Sequence, residues 1–284
     1  MATKAPTPPP GRRRATASGS EPPRLLIAAL VIMGLAMLLV AIAGAFSSGH
    51  AETFQVGNLI LEVDGDYAPH RLPANELAPI ELEGEGHGRT DDGSLVPVTK
   101  EVIADFDKNG TLTTRGIDQC NPRSLQNTTT RQALKKCKSS LVGKGQVSGV
   151  VDFPDQKPFA ARGPLLIFNG TKKGGDPSVI FHVLADVPLP TTFIVQAAIT
   201  KSPLPGMGKR VVAKVPPIAG YNGRMTDVVF HIFKKPATGP RYLLARCGNG
   251  RFRARVQVTT LAEDLHSVGE KLTVEIVRPC QVAG

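Results

Sequence analysis

Tryptophan is absent from this chain of 284 residues, and only 5% of the residues are aromatic. Proteins that bind single-stranded nucleic acid need aromatic platforms on which bases stack, so nucleic acid is not an expected partner. The chain also lacks a Gly-x-Ser-x-Gly elbow, a His-Glu-x-x-His pair and a phosphate-binding loop. We therefore predict no catalytic residue, no cofactor and no established enzyme class from motifs alone.

Glycine and proline are abundant, with 29 and 24 residues, which argues against a helical bundle. Short segments rich in Val, Ile, Phe and Thr recur after residue 52, and they are bounded by Gly, Pro or Asp. Residues 251–258 alternate between polar and apolar, and in residues 271–278 the apolar Leu272, Val274 and Ile276 alternate with the polar Lys271, Thr273 and Glu275. Each segment therefore predicts a strand with one buried face. The predicted fold is a mostly β, antiparallel β-sandwich.

One short helix interrupts the strand pattern, at about residues 130–138. Thr129 followed three residues later by Gln132 is a capping box, which marks a helix start. The cluster of lysines near residue 138 suits the negative end of the helix dipole.

The longest uncharged apolar run, residues 25–46, has 22 residues. As a helix it would be about 33 Å long, enough to cross a bilayer. Arginines precede it, so residues 1–24 are expected to form a disordered cytoplasmic tail and residues 52–284 an exported domain. The run predicts a single-pass membrane anchor; a cleaved signal peptide, which would leave a secreted protein, is the alternative.

Four cysteines follow the apolar run, at positions 120, 137, 247 and 280. An even number of exported cysteines predicts two disulfides with three possible connectivities. Pairing Cys120 with Cys137 and Cys247 with Cys280 closes the shortest loops, and we favour it. Zinc is the alternative, but no cysteine pair has the usual spacing of zinc ligands.

Charge divides the exported part into an acidic and a basic portion. Residues 52–110 hold 13 acidic and 4 basic side chains, whereas residues 111–284 hold 10 acidic and 25 basic ones. Mutual packing of the two portions is the simpler interpretation; binding of anionic envelope polymers is the other. Alternation places Arg251, Arg253 and Arg255 in one row, which is either a polyanion-binding stripe or a charged edge that prevents aggregation.

Two further groups of residues admit a functional and a structural interpretation. Asp105, Asp107 and Asn109 reproduce the first half of a calcium loop, but position twelve is Gly116 instead of glutamate. A turn in which Asn109-Gly110 supplies a positive φ is the alternative, and we predict no metal site. His182 and His231 lie in apolar strands, where structural histidines are commoner than catalytic ones.

Several segments carry a joint resemblance: residues 106–110 (FDKNG), Arg131, Ala133 and Cys137, residues 141–145 (LVGKG), 153–159 (FPDQKPF) and 163–170 (GPLLIFNG), and Arg246-Cys247. Together they resemble a family of uncharacterised, exported β-rich proteins of high-GC soil bacteria. The resemblance covers most of residues 58–280. It implies export, paired cysteines and a β-rich domain, and it implies no site residue because the family has no assigned activity.

The resulting hypothesis is a binding or structural module of the cell envelope, located at the membrane with its C-terminal domain outside. The expected partners are the membrane and anionic envelope polymers. A secreted enzyme of the hydrolase type is the alternative, and it requires His182 or His231 to contact both a hydroxyl and a carboxylate. The sequence makes no prediction of oligomeric state.

Overall fold

A computed structural model of the chain describes residues 51–172, 175–185, 189–233 and 240–283. Residues 1–24 and 25–46, for which a tail and a membrane or signal helix are predicted, lie outside the described residues. No helix in the described ranges is long and apolar enough to cross a membrane.

The described residues form a mostly β fold with short helices, as predicted. The strands are β1 (Glu52–Val56), β2 (Leu59–Ala68), β3 (Arg71–Leu72), β4 (Ala78–Pro79), β5 (Glu81–Thr90), β6 (Thr99–Asp107), β7 (Gly110–Leu112), β8 (Leu141–Val151), β9 (Phe159–Thr171), β10 (Pro177–Ala185), β11 (Thr191–Lys201), β12 (Met207–Lys214), β13 (Gly223–Ile232), β14 (Leu243–Ala245), β15 (Arg251–Leu261), β16 (Val268–Pro279) and β17 (Gln281–Val282). The helices are α1 (Pro122–Leu125) and α2 (Thr130–Cys137), with 3₁₀ turns at Lys138–Ser140 and Ile218–Tyr221.

Twelve strands join in one antiparallel sheet, in the order β1-β2-β5-β13-β8-β9-β10-β11-β12-β6-β15-β16. The predicted sandwich of two sheets therefore differs from the arrangement found. A sheet this wide accumulates twist and curls, so one continuous sheet encloses its own inner face. The small sheet β4-β14-β7 and the parallel pair β3-β17 are separate from it.

The curl brings the two edges of the large sheet together along a seam. Arg278 of β16 forms an ion pair with Glu52 of β1 at 2.6 Å and with Asp64 of β2 at 2.5 Å. Tyr67 donates a hydrogen bond to the carbonyl of Pro279 at 2.8 Å. Side-chain contacts thus join strands that do not pair through their backbones.

The helix α2 begins where the capping box predicts. The Thr129 hydroxyl accepts from the backbone N–H of Gln132, and the Gln132 side chain accepts from that of Thr129. The buried face of α2 contains Ala133 and Cys137, which pack with Leu125 of α1 in one apolar cluster. The helix is thereby attached to the sheet on one face only.

The predicted turn after β6 is present, but its backbone differs from the prediction. Lys108 and Asn109 form the turn between β6 and β7, and neither Asn109 nor Gly110 has a positive φ. The hairpin type that needs a left-handed Asn-Gly pair is therefore not used, because β7 leaves β6 and pairs with β14 instead.

Candidate binding cavity

The inner face of the curled sheet is apolar but incompletely filled. On β6, Val102, Ala104 and Phe106 point inward, and their neighbours on β12, Val211 and Ala213, do the same. All five side chains are only half-buried, although they belong to the interior of the fold. Close-packed cores leave little accessible surface on such residues, so empty space adjoins them.

This space is a cavity of about 340 Å³. Ten strands contribute to its lining, namely β2, β5, β6, β7, β10, β12, β13, β14, β15 and β16. The side chains with which the large sheet lines the cavity are mostly Val, Leu, Ile, Phe and Ala. Residues Leu243–Ala245 of β14 line one side. Small-molecule pockets have volumes of about 300–1,000 Å³, and this cavity lies at the lower end of that range. Its size therefore suits one slender apolar ligand.

Small residues at inward positions create the space. β5 carries Leu82, Gly84 and Gly86 on its inner face, whereas Glu83 and Glu85 point outward. A Cβ on Gly84 would lie 2.5 Å from the ring of Phe230, so that glycine admits the ring. A Cβ on Gly86 would meet only Val228, at 3.5 Å, so Gly86 leaves room beyond contact distance.

Two polar side chains at the cavity wall, Arg278 and Tyr67, have hydrogen-bonded protein partners. Arg278 contacts Glu52 and Asp64, and Tyr67 donates to the Pro279 carbonyl. Burial, followed by the neighbouring Asp66 carboxylate, raises the pKa of Tyr67 to about 12, so the phenol keeps its proton. The wall therefore offers an incoming molecule apolar contact more than hydrogen bonds.

The two histidines with predicted alternative roles lie apart and have different partners. His182 is fully buried, and its Nε2 lies 3.1 Å from both the hydroxyl and the carbonyl oxygen of Thr128. His231 is half-exposed, and its Nε2 lies 3.2 Å from a Glu81 carboxylate oxygen. Within the described part of the chain, neither histidine contacts both a hydroxyl and a carboxylate, which the hydrolase alternative requires.

Asp105, Asp107 and Asn109 use their oxygens on protein partners. Asp105 is buried and accepts from Arg210 at 2.7 and 2.8 Å and from Ser202 at 2.6 Å. Burial would raise its pKa, but the hydrogen bonds from Arg210 and Ser202 outweigh burial and hold the pKa below its ordinary value. Asp107 accepts from the backbone N–H of Asn109, as in a turn.

No group of three or more His, Cys, Asp or Glu side chains with metal-binding geometry occurs among the residues that the structure describes. The calcium alternative at Asp105, Asp107 and Asn109 gains no support from their contacts, because Arg210 holds both oxygens of Asp105.

Arg251, Arg253 and Arg255 lie on the outer face of β15, opposite the inward Ala254 and Val256. Arg251 is exposed, whereas Arg253 and Arg255 are half-buried. Arg253 lies 3.7 Å from Asp107 and 3.9 Å from Glu275, measured between nitrogen and carboxylate oxygen. Carboxylates therefore accompany this row, and its binding to anionic polymers stays a prediction.

The cysteines form two disulfides, as predicted, in the favoured pairing. Cys120 is bonded to Cys137 and Cys247 to Cys280, with Cα atoms 5.5 and 5.8 Å apart. Cys120 also forms a backbone bridge with Gly170 of β9, so the first disulfide fastens α2 to the sheet. All four side chains are thus disulfide-bonded, so none of them is a zinc ligand.

A second hollow, of about 590 Å³, lies on the outer surface near the other end of β6 and β15. Its lining mixes Glu101 with Lys214 and Lys271. Because its wall is about equally polar and apolar and carries both signs of charge, it favours no single class of ligand.

Comparison with family models, with curated proteins and with solved structures finds no match for this chain.

The cavity is the feature that motif-based reasoning missed. A signal was present in β5, where glycine occupies alternate positions 84, 86 and 88. These glycines alternate with the carboxylates at 81, 83 and 85, so they lie on the opposite face of the strand and give it an inner surface without side chains.

Proposed function

We propose that this protein is an exported binding module that holds an apolar ligand inside its curled sheet. The observation that carries the proposal is the apolar cavity of about 340 Å³ in the interior of the fold. The two disulfides agree with an oxidising compartment, and the predicted anchor at residues 25–46 would hold the domain at the outer surface of the membrane.

The apolar wall favours an occupied cavity over an unfilled one. Apolar surface removed from water contributes about 25 cal/mol per Å² to stability. An apolar molecule in the space of about 340 Å³ would add that contribution.

The chemistry of the wall defines the occupant as a single apolar chain, such as the hydrocarbon part of a lipid. Val102, Phe106, Val228 and Phe230 give it apolar contact. The nearby Arg278 and Tyr67 are engaged by protein partners. The outer envelope, where the domain is proposed to lie, contains lipids as a source of such chains.

Photolabelling tests this proposal with the full chain in phospholipid nanodiscs. A dodecyl chain that carries a diazirine is irradiated in the presence of the protein, and mass spectrometry locates the modified peptides. We expect labels on β6 and β13, saturable and displaced by unlabelled 1-dodecanol. Labels confined to residues 25–46 or spread over the outer face would contradict the proposal.

A matched pair of variants separates the interior from the surface. Ala104→Phe places a ring in the cavity, whereas Val229→Phe adds the same ring on the outer face of β13, where Val229 is 50% exposed. We expect Ala104→Phe to abolish the saturable label and Val229→Phe to leave it unchanged. Circular dichroism verifies that both variants keep the β fold.

A further inference from the structure

We infer that the ligand of the cavity carries no negative charge: it is a neutral apolar chain, such as a long-chain alcohol or its ester, and not a fatty-acid anion. This inference rests on the proposed function of the cavity and adds the chemical class of its ligand.

The charges around the cavity are unequal. Five acidic residues and two basic ones contribute to its lining: Asp64, Asp66, Glu83, Glu85, Asp107, Arg253 and Arg278. Arg278 is paired with Asp64 and Glu52, and Arg253 lies beside Asp107 and Glu275. Arg278 is thus hydrogen-bonded to carboxylates, whereas Arg253 is only within ion-pair distance of its two, and its buried Nε has no hydrogen-bond partner among the described residues. An incoming anion would have to compete with these carboxylates for either arginine.

The acidic excess is concentrated where β2 and β5 pair. Asp64 lies directly opposite Glu85, and Asp66 lies directly opposite Glu83. Like charges at directly opposite positions repel each other. Among the described residues, neither Glu83 nor Glu85 has an ion-pair partner, so their charges remain uncompensated there.

Glu83 and Glu85 stand exposed on the outer face of a wall that is one sheet thick, whereas Asp64 is buried and bound to Arg278. The other face of the same wall, at Gly65, Gly84 and Gly86, borders the cavity without a side chain in between. Charges act over longer distances through a poorly polarisable interior than through water. A carboxylate on the ligand would lose the strong hydration of an ion and would also be repelled. A hydroxyl or an ester would lose only the weaker hydration of a neutral group.

Three photoreactive probes of equal chain length test this inference on the full chain in nanodiscs. The probes are diazirine derivatives of 1-dodecanol, dodecanoate and dodecylamine, used at roughly pH 8, where the acid and the amine are charged. The readout is the probe concentration that half-saturates labelling of β6 and β13. We expect the alcohol to require an about tenfold lower concentration than dodecanoate. The alcohol should also require a lower concentration than the amine, because desolvation of the ammonium in the apolar interior outweighs its attraction to the exposed carboxylates.

The double variant Glu83→Gln/Glu85→Gln tests the cause of the discrimination. Both side chains are exposed, so the fold should tolerate the change. We expect the preference for the alcohol over dodecanoate to become about threefold smaller in this variant. The control is Glu270→Gln, which changes an exposed carboxylate outside the cavity lining and should leave the preference unchanged. Because membrane partitioning of each probe is the same for all variants, the comparison isolates the protein.

The outcomes separate the two proposals. Absence of cavity labelling by all three probes would refute the proposed function itself. Equal or tighter labelling by dodecanoate, or tightest labelling by dodecylamine, would overturn the neutral ligand and leave the cavity's function standing. An unchanged preference in the double variant would show that the acidic wall is not its cause and would likewise overturn the inference.

Discussion

His182 is a buried histidine whose proton is fixed by its partners. The carbonyl of Thr128 can only accept, so Nε2 of His182 donates to it, and the ring is neutral with Nδ1 unprotonated. Thr192 also donates to this carbonyl, at 2.8 Å. Burial lowers the pKa of His182, and the hydrogen bond to Thr128 opposes this shift only in part. The residue therefore fastens β10 to the segment before α2.

The lowered pKa of His182 predicts a loss of stability in weak acid. In the unfolded chain the ring takes up a proton near pH 6.5, while in the folded chain it stays neutral to lower pH. Between the folded pKa and 6.5 the unfolded state binds more protons, so stability falls as pH falls; above 6.5 the contribution to stability is complete.

We expect the replacement His182→Gln to remove about 1 kcal/mol from the drop in unfolding free energy between roughly pH 7 and pH 5.5. Urea denaturation at the two pH values measures it. The exposed His266→Gln serves as the control and should keep the wild-type drop. An identical pH dependence in wild type and His182→Gln would refute this account of the buried ring.

At the scale of elements, the seam between β16 and the strands β1 and β2 depends on side chains. Its apolar part is the cluster of Val63, Val274 and Ile276. Its polar part is Arg278, of which only 11% of the side chain is exposed, shared between Glu52 and Asp64. A seam without a backbone ladder should be more sensitive to one side chain than a paired strand is.

Replacing Arg278 by Gln should therefore lower the free energy of unfolding by about 3 kcal/mol, because it leaves buried carboxylate charge without its cation. Chemical denaturation measures this loss. Arg251→Gln, at the exposed end of β15, should change the value by less than about 0.5 kcal/mol. Equal effects of the two replacements would show that the seam is held by its apolar cluster alone.

The disulfide between Cys120 and Cys137 joins residues 17 positions apart and closes a loop that contains α1 and α2. The double variant Cys120→Ser/Cys137→Ser should lower stability by about 3 kcal/mol, mainly by freeing the unfolded chain. Thermal unfolding, followed by circular dichroism, measures the loss. Dithiothreitol should destabilise wild type further than this variant, which retains one disulfide; an equal response would contradict a role for this bond.

The sequence predicts those helices and strands that depend on residues close together in the chain. The capping box at Thr129 and Gln132 defined the start of α2, and alternation on residues 251–258 and 271–278 identified β15 and β16, which pair in the structure. The insertion of β13 between β5 and β8 was not predictable. Strand order depends on contacts between residues far apart in sequence, on which alternation carries no information.

The cavity escaped prediction for a related reason. Period-two alternation shows which face of β6 is buried, but not whether the residues opposite fill the space. Ala104, Ala213 and Ala254 are ordinary core residues individually, and only the closed curl of the sheet makes their combined small size a void.

At the scale of the whole molecule, the acidic and basic portions of the sequence meet in specific pairs. Arg278 binds Glu52 and Asp64, Arg210 binds Asp105, and Arg253 lies beside Asp107. Each pair joins a residue before position 111 to one after it. Mutual neutralisation thus takes up part of the basic surplus, in line with the simpler interpretation of the charge division.

If the cavity is space for a ligand, filling it with a larger apolar side chain should stabilise the ligand-free protein. Ala104→Leu adds apolar volume to the cavity without adding a polar group, so we expect it to raise the free energy of unfolding of the ligand-free protein by about 1 kcal/mol. It should weaken chain binding at the same time. Guanidinium denaturation of delipidated protein measures the first effect; a large destabilisation would indicate that the space is smaller than described.

The most direct measurement is a crystal structure of the protein equilibrated with 1-dodecanol. The account predicts continuous density for the chain inside the curled sheet, in contact with Ala104, Gly86 and Phe230. An interior in which side chains have closed over the space, with no density for the alcohol, would contradict the claim that this fold is built to hold an apolar ligand.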